Sequence, residues 1–264
     1  MLELDRVRFG WDAEKPIIEE LSLKIRAGDK VVILGANGCG KSTLLKLMNG
    51  LVFAQAGSIR FQGTLLEKSA LAGRQNERQF GRQFRQACTL LFQHPEAMLF
   101  NPTVRDEIAY GPRQLAVADV DARVAHWAAA LQLTALLDQP PFLLSGGEKQ
   151  KLALACLLAV NPQLLLLDEP SSSLDPATVG WLIDTLLDSP MTVVAATHNL
   201  SLAAELGSRC LVLGQHGRLL YDGPVSAALQ NLSLMEEARL AHRHKHRHDG
   251  RAHTHLHVHN WDAS

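Results

Sequence analysis

One glycine-rich stretch of the sequence has the residue types and spacing to bind phosphate groups. Residues 35–43 read Gly-Ala-Asn-Gly-Cys-Gly-Lys-Ser-Thr and match the pattern G-x-x-x-x-G-K-[ST]. Glycines let backbone N–H groups turn towards an anion, a lysine adds a positive charge, and a serine hydroxyl can ligate Mg²⁺. The candidate ATP-phosphate ligands are Gly35, Asn37, Gly38, Cys39, Gly40, Lys41, Ser42 and Thr43. The alternative is a glycine-rich turn that binds nothing.

The sequence on either side of this stretch argues against that alternative. Residues 30–34 (KVVIL) are a short apolar, β-branched run that is typical of a buried parallel strand. Residues 41–49 have the apolar spacing of a helix, and Gly50 is placed to end it. A helix that begins here would point its positive end at a bound anion.

A second candidate anion site lies further along the chain. Ser145 is a natural helix N-cap, and Gly146 and Gly147 would leave N–H groups open at the start of a helix predicted over 149–160. One chain therefore carries two helix starts that could each bind phosphate.

Polar residues follow three of the predicted apolar strands. Gln93 could reach Mg²⁺ or an attacking water, and Asp168 and Glu169 fit a magnesium ligand with a general base beside it. Two buried carboxylates would be costly without such a role. His198 ends another strand, although a lone histidine there is more often structural.

Two apolar features outside these motifs have open interpretations. Trp11 follows the first strand and could stack on a nucleotide base or pack as a half-buried aromatic. The segment Met98-Leu99-Phe100 reads as exposed and could dock a partner, or it could be a core loop. A hairpin is predicted over 209–221, around Gly217.

Composition limits the classes of protein to consider. The chain has 264 residues, 47% of them hydrophobic, and a formal charge of −1, which argues against a general nucleic-acid binder. Its four cysteines form no C-x-x-C pair, as expected in a reducing compartment. The longest apolar run, residues 152–160, is far shorter than the ~20 residues of a membrane span. A soluble or peripheral protein without a signal segment is expected.

The composition changes sharply near residue 241. Eight of the chain's 12 histidines follow, at alternating positions in two groups. Imidazole suits Ni²⁺, Co²⁺, Cu²⁺ and Zn²⁺. The candidate ligands for nickel or cobalt are His242, His244, His246, His248, His253, His255, His257 and His259.

Together these features resemble the ATP-binding cassette (ABC) ATPases. Six motifs follow the family's order and spacing between residue 1 and about residue 230. They are the Walker A loop at 35–43, the Q-loop Gln93, the signature at 144–148, the Walker B pair Asp168 and Glu169, the D-loop at 173–175, and the switch histidine His198. Departures from the usual motifs are Glu148 for Gln, Ser171 for Thr and Ser173 for Gly.

The resemblance implies an α/β fold, the ABC-type nucleotide-binding domain. A P-loop NTPase core with a parallel sheet would carry an N-terminal antiparallel β subdomain and an α-helical subdomain at about 94–160. The cassette would span 1–230, and 231–264 would be a flexible histidine-rich tail.

It also implies roles for single residues. Lys41 holds the outer phosphates, and Ser42, Gln93 and Asp168 organise Mg²⁺. Glu169 polarises the attacking water, and His198 contacts the γ-phosphate. The catalytic candidates are therefore Glu169, His198, Gln93 and Lys41. Trp11 falls at the family's base-stacking position. Ser145 and Gly147 would come from the second copy in a homodimer, and Gly146 and Asp175 are further candidate ATP contacts.

Residues 92–104, with Glu107 and Gly111-Pro112, are similar to the ATPases of energy-coupling-factor importers, and the histidines narrow the resemblance to the nickel/cobalt branch. The implied protein hydrolyses ATP at the cytoplasmic face of the inner membrane, as a peripheral partner of integral membrane subunits, to import a transition-metal cation. Nucleic acid is not an expected partner. The alternatives are uptake of another micronutrient, a soluble ABC ATPase outside transport, and a metal-storage protein.

Overall fold

The computed structural model describes residues 1–12, 14–72, 75–248 and 251–258. The strands are β1 (Leu2–Phe9), β2 (Ile18–Ile25), β3 (Lys30–Leu34), β4 (Ala56–Phe61), β5 (Thr64–Leu65), β6 (Cys88–Leu91), β7 (Leu164–Asp168), β8 (Thr192–Thr197), β9 (Arg209–Leu213), β10 (Leu219–Pro224), β11 (Ala241–His248) and β12 (Arg251–Val258). The helices are α1 (Lys41–Met48), α2 (Lys68–Ala72), α3 (Gln75–Ala87), α4 (Val104–Leu115), α5 (Val120–Ala130), α6 (Gly146–Ala159), α7 (Pro176–Asp188), α8 (Leu200–Leu206), α9 (Val225–Gln230) and α10 (Leu232–Glu237). Within these described ranges, every helix is too short or too polar to cross a membrane.

A six-stranded sheet in the order β10-β9-β3-β8-β7-β6 forms the centre of the fold. Its strands are parallel except for β10, which pairs antiparallel with β9 as the sequence predicts for a hairpin. In β3, Val32 and Leu34 belong to one hydrophobic core and Val31 and Ile33 to the other. Burial on both faces explains the unbroken apolar runs of the parallel strands. The carboxyl ends of β3, β6, β7 and β8 consequently meet at one edge.

A four-stranded antiparallel sheet, β2-β1-β4-β5, covers one face of the central sheet. Alternate residues of β1 and β2 are buried, as their sequence pattern predicts. They pack with α1 in the second core, where Leu44 and Leu45 are fully buried. The expected α/β architecture with an N-terminal antiparallel part is confirmed.

Helices α4, α5 and α6 lie in the segment expected to be helical. A Cβ added at Gly111 of α4 would lie 2.9 Å from Cγ2 of Val160, so these two segments approach closely. Helix α5 ends at Ala130, and the left-handed backbone of Gln132 (φ 60°) follows.

The packed part of the chain continues past the expected boundary at residue 230. Leu234 and Met235 of α10, followed by Leu240 and Ala241, are buried in the same core as the central sheet. Beyond them, β11 and β12 pair antiparallel, where the sequence analysis expects a flexible segment. His259 lies outside the described residues.

Candidate functional site

A cavity of about 460 Å³ opens at the carboxyl edge of the parallel strands. It brings together residues that are far apart in the sequence: the glycine-rich loop after β3, Gln93 after β6, and two acids at the end of β7. The lining residues are Ile17, Asn37, Gly38, Gly40, Lys41, Ser42, Thr43, Gln93, Asp168 and Glu169. Cavities of this size hold small ligands in many proteins.

The glycine-rich loop needs glycine for both conformation and space. Gly38 and Gly40 have φ values of 80° and 110°, which other residues rarely adopt. A Cβ at Gly40 would also lie 3.0 Å from Cδ1 of Ile18. Gly40 is the N-cap of α1 and offers no side chain to the first turn, so the N–H groups there remain available to an anion.

Lys41 is buried, with its ammonium group directed at the loop. Its Nζ donates to the carbonyl oxygens of Gly35 at 2.7 Å and Ala36 at 3.3 Å. A buried ammonium that is held by two carbonyls keeps its charge in place. Lys41 also lines the cavity, where its charge could attract phosphate oxygens.

Asp168 is the last residue of β7 and is 5% exposed. Burial raises the pKa of its carboxyl group, a hydrogen bond with Ser42 opposes that rise, and the negative charge of Glu169 adds to it. A bound cation would favour the ionised form. The hydroxyl of Ser42, the amide of Gln93 and the carboxylate of Asp168 are oxygen donors that fit Mg²⁺.

Glu169 is buried and held at both carboxylate oxygens. Thr197 Oγ1 donates to Oε2 at 3.0 Å, and His198 Nδ1 lies 2.8 Å from Oε1. The backbone of Glu169 is left-handed (φ 49°), and its N–H donates to the carbonyl of Ala196 in β8. A strained acid that is fixed from a neighbouring strand is typical of functional sites.

Sequence reasoning singled out His198 as a γ-phosphate contact but missed its pairing with Glu169. It also missed Thr197, which is fully buried and precedes His198 in the chain. The only signal for Thr197 is its position at the end of β8, beside the end of β7. That adjacency depends on strand order, which is a long-range property.

The second helix start is built differently. Ser145 caps α6 in a reciprocal capping box, in which its N–H and hydroxyl donate to Glu148 Oε2 at 2.8 and 2.7 Å. These hydrogen bonds lower the pKa of Glu148, so this carboxylate is ionised at the helix start. Residues 144–148 do not line the 460 Å³ cavity. Within the described chain, this segment and the glycine-rich loop do not share a site.

The segment after β7 packs against α6 of the same chain. A Cβ at Gly147 would lie 2.7 Å from the carbonyl oxygen of Ser173, whose left-handed backbone (φ 63°) is one that glycine adopts more readily. Lys151 pairs with Asp175 at 3.2 Å, and hydrogen bonds from Thr178 hold the pKa of Asp175 well below its usual range. The two segments are therefore joined by close packing and by an ion pair.

Gln150 makes a further connection between α6 and the acids. This residue is 1% exposed, and its Nε2 donates to the carbonyl oxygen of Pro170 at 3.1 Å. Pro170 directly follows Glu169. A displacement of α6 would therefore act on the residues that follow β7.

Trp11 is 62% exposed and is absent from the cavity lining. Its ring meets Phe9 edge-on, with 5.2 Å between the centroids, and Lys46 Nζ of α1 lies 5.7 Å from its centroid. This arrangement leaves much of the indole open to a flat partner. Base stacking stays a prediction for this residue.

The apolar segment after Gln93 is less exposed than its sequence indicates. Met98 and Leu99 pack against the core, and Phe100 alone is exposed, at 66%, with its ring edge-on to Tyr110 at 4.8 Å. Buried Glu107 holds the loop by accepting the N–H of Phe100 at 2.9 Å. Met98 and Leu99 are partly buried, so Phe100 is the most exposed of the three residues, and docking by this segment stays a prediction.

Comparison with known proteins agrees with this geometry. A model of the ABC transporter family matches residues 18–172. An ABC transporter ATP-binding protein of Methanosarcina acetivorans is 38% identical over 92% of this chain and 89% of its own length. The nickel import ATP-binding protein NikO of Rhodobacter capsulatus is 37% identical over 90% of this chain and 94% of its own.

Solved structures share the fold. A bacterial Atm1-family ABC exporter with ATP bound is 30% identical, with a TM-score of 0.75, over 90% of this chain and 41% of the exporter. CbiO1 of Clostridium perfringens, part of the transporter complex CbiONQ, has a TM-score of 0.71 at 24% identity over 90% of this chain and 94% of its own.

Proposed function

The chain belongs to the ABC transporter family of ATP-binding proteins, and from this premise we propose that it powers an energy-coupling-factor importer for a transition-metal cation, nickel or cobalt. The cavity that joins Lys41, Gln93, Asp168 and Glu169 carries the ATPase assignment. The 37% identity to a nickel import protein over nearly the whole of both chains supports the cargo.

In the proposed mechanism, the N–H groups of the glycine-rich loop and Lys41 bind the β- and γ-phosphates of ATP. Ser42, Gln93 and Asp168 would hold Mg²⁺, which supplies positive charge to the phosphates when bound. Glu169 accepts a proton from the attacking water, and Thr197 and His198 fix the direction of its carboxylate. His198 is 39% exposed, so it can also reach the γ-phosphate.

The helix start at Ser145 completes a site only if it comes from another copy of the chain. Its first two residues are glycines, yet it lies away from its own chain's cavity. A head-to-tail homodimer would place each α6 start over its partner's loop. Each ATP would then contact Ser145, Gly146, Gly147 and Asp175 of the opposite subunit.

Phe100 is the proposed contact with an integral membrane subunit. The residue lies seven positions after Gln93 and is held at the surface by Glu107 and Tyr110. Closure of the dimer around ATP would move Gln93 and, through the same loop, Phe100. The subunit would then work as a peripheral protein at the cytoplasmic face of the inner membrane.

Metal uptake by cells tests the cargo. Cells that produce the membrane subunits with this chain should accumulate radiolabelled nickel or cobalt, and cells with the Glu169→Gln chain should not. Uptake of neither metal would refute the cargo while leaving the ATPase assignment intact. ATP-dependent uptake of a different micronutrient would identify the alternative.

Co-purification tests the docking contact. Phe100→Ser should reduce recovery of the membrane subunits and metal uptake, yet leave ATP binding by the isolated chain unchanged. Leu187→Ser is the matched control, because Leu187 is an exposed apolar residue at 45% on α7. Equal recovery for both variants would show that Phe100 is not the contact.

A further inference from the structure

The chain turns sharply where α10 ends, and an arginine occupies the turn. The N–H of Arg239 donates to the carbonyl oxygen of Glu236 at 3.0 Å, and the N–H of Leu240 donates to that of Met235 at 2.8 Å. These two hydrogen bonds form a Schellman motif, in which the position of Arg239 has a left-handed backbone and is usually glycine. Arg239 adopts this backbone, with a φ of 56°. Ala238 and Leu240 are buried, so the turn is anchored on both sides of the arginine.

The side chain of Arg239 contacts the connection between β9 and β10, residues 214–218. In the amide orientation that matches donors with acceptors, Oε1 of Gln215 accepts hydrogen bonds from Nη1 of Arg239 at 3.2 Å and from Nη2. The next residue, His216, also has a left-handed backbone (φ 54°), and its Nδ1 lies 3.3 Å from the carbonyl oxygen of Pro16. The β9–β10 connection is therefore held by the C-terminal segment on one side and by the residues before β2 on another.

The β9–β10 connection packs against residues that support the glycine-rich loop. A Cβ at Gly217 would collide with Cδ1 of Ile18, and a Cβ at Gly40 would lie 3.0 Å from the same atom. Ile18 therefore touches both the connection and the N-cap of α1. At the other end of the loop, a Cβ at Gly35 would lie 2.7 Å from the carbonyl oxygen of Leu213, the last residue of β9. Both ends of the loop thus rest on this part of the molecule.

A cavity of about 240 Å³ also joins the C-terminal segment to the loop. Glu237 and Arg239 line it together with Gln215, and the tip of the glycine-rich loop forms another part of its wall. Asn37 and Gly38 line both this cavity and the 460 Å³ cavity of the candidate ATP site. The C-terminal segment and the ATP site therefore share the loop as a common wall.

We propose that Arg239 is a positioning residue for ATP binding. Through Gln215 it holds the β9–β10 connection against Ile18, and so keeps the glycine-rich loop in its phosphate-binding conformation. This role explains why the turn carries an arginine, since a left-handed backbone at a residue other than glycine costs stability. The chemical step is not involved, because Glu169 and His198 follow β7 and β8. The inference rests on ATP binding at the loop and is independent of the cargo and of any membrane subunit.

Arg239→Gly separates this role from a purely structural one. Glycine suits a left-handed turn better than arginine, so the unfolding temperature of the variant should be no lower than that of the wild type. Its KM for ATP should nevertheless rise roughly two- to fivefold with kcat unchanged, as for the loss of one hydrogen-bonded contact. Steady-state hydrolysis by the purified full-length chain measures both constants. Ala116→Gly is the matched control, because Ala116 has the same backbone (φ 53°) after α4 and no polar side chain to lose. Its KM should equal that of the wild type.

A double-variant cycle tests the route through Gln215. Gln215→Ala should raise the KM for ATP by the same factor as Arg239→Gly, and the two changes together should raise it no further, because both break the same contact. A wild-type KM in Arg239→Gly would overturn the proposal. So would a double variant whose KM rises by the product of the two single effects, since the two side chains would then act separately.

Discussion

The chain contains two helix starts that could bind phosphate, and they differ in almost every physical respect. The start of α1 has a glycine N-cap, lines a cavity, and lies beside buried Lys41 and two buried acids. The start of α6 has a serine N-cap that is hydrogen-bonded to Glu148. It does not line the cavity that contains Asp168 and Glu169. The start of α1 therefore has a cation, Lys41, and a candidate base, Glu169, beside it. The start of α6 offers only its backbone N–H groups.

The difference indicates that the two helix starts have different roles in the site. Groups that must be held rigidly and kept partly from water come from the ends of buried parallel strands. Phe142 and Leu143, just before the α6 start, are 74% and 64% exposed, as expected for a surface that meets another molecule. We infer that the α6 start acts on a nucleotide bound to a second copy.

The largest effect is expected from a change in the cavity beside the start of α1. Glu169→Gln should lower the steady-state rate of ATP hydrolysis by about 10²–10⁴-fold, the usual contribution of one general base. Binding of ATP should persist, because the lysine and the loop are unchanged. Near-normal hydrolysis by the purified variant would remove Glu169 from the proposed role.

Gly146→Asp should disable the α6 helix start without disturbing the fold. A Cβ at Gly146 meets only Ser173, at 3.9 Å, and an acid in the first turn of a helix favours helix formation. The carboxylate would repel the phosphate, with a loss in hydrolysis on the order of 10²-fold, as for a lost transition-state donor. Gly180→Asp, where a Cβ meets nothing within 4 Å, is the control and should hydrolyse ATP normally.

Thr197→Val tests whether the direction of the Glu169 carboxylate matters. The change keeps the shape of the side chain but removes the hydroxyl donor at 3.0 Å. Loss of one such hydrogen bond, worth about 1 kcal/mol, should reduce kcat by roughly fivefold with little change in KM. Thr197→Ser should restore the rate. If the valine and serine variants are equally slow, the hydroxyl is not what positions Glu169.

Glu148→Gln should produce the smallest effect. Removing a negative charge from the α6 start should lower the KM for ATP by roughly two- to fivefold, since a charge at a helix N-terminus is worth about 0.3–1 kcal/mol. The effect should weaken in high salt. Glu205→Gln, which removes an exposed charge on α8, should leave KM unchanged. A higher KM in Glu148→Gln would mean that the capping box itself supports binding.

Much of the fold follows from local sequence patterns. Short stretches of sequence predict several elements, because their residue pattern indicates which side chains are buried. Examples are the glycine-rich loop, the apolar run of β7, and the alternation in β1 and β2. The capping serine of α6 is likewise a local signal. Strand order depends on contacts between distant residues. The hydrogen bond from Thr197 to Glu169 therefore could not be predicted from local patterns.

Other misses have the same origin. Met98 and Leu99 read as exposed, but both are partly buried against a core whose members are mostly far away in the sequence. The pairing of β11 with β12 was missed because strands of histidine and basic residues lack the usual apolar alternation. In both cases the deciding contact is made by residues far away or by register.

Mixing two inactive variants tests most directly whether the site is completed between copies. Lys41→Ala lacks the loop cation but keeps its α6 start, and Gly146→Asp has the reverse defect. Half of randomly paired dimers would combine the two, each with one intact site of two, so an equal mixture should recover roughly a quarter of wild-type hydrolysis. If the mixture stays as inactive as either variant alone, both halves of the site must come from the same chain.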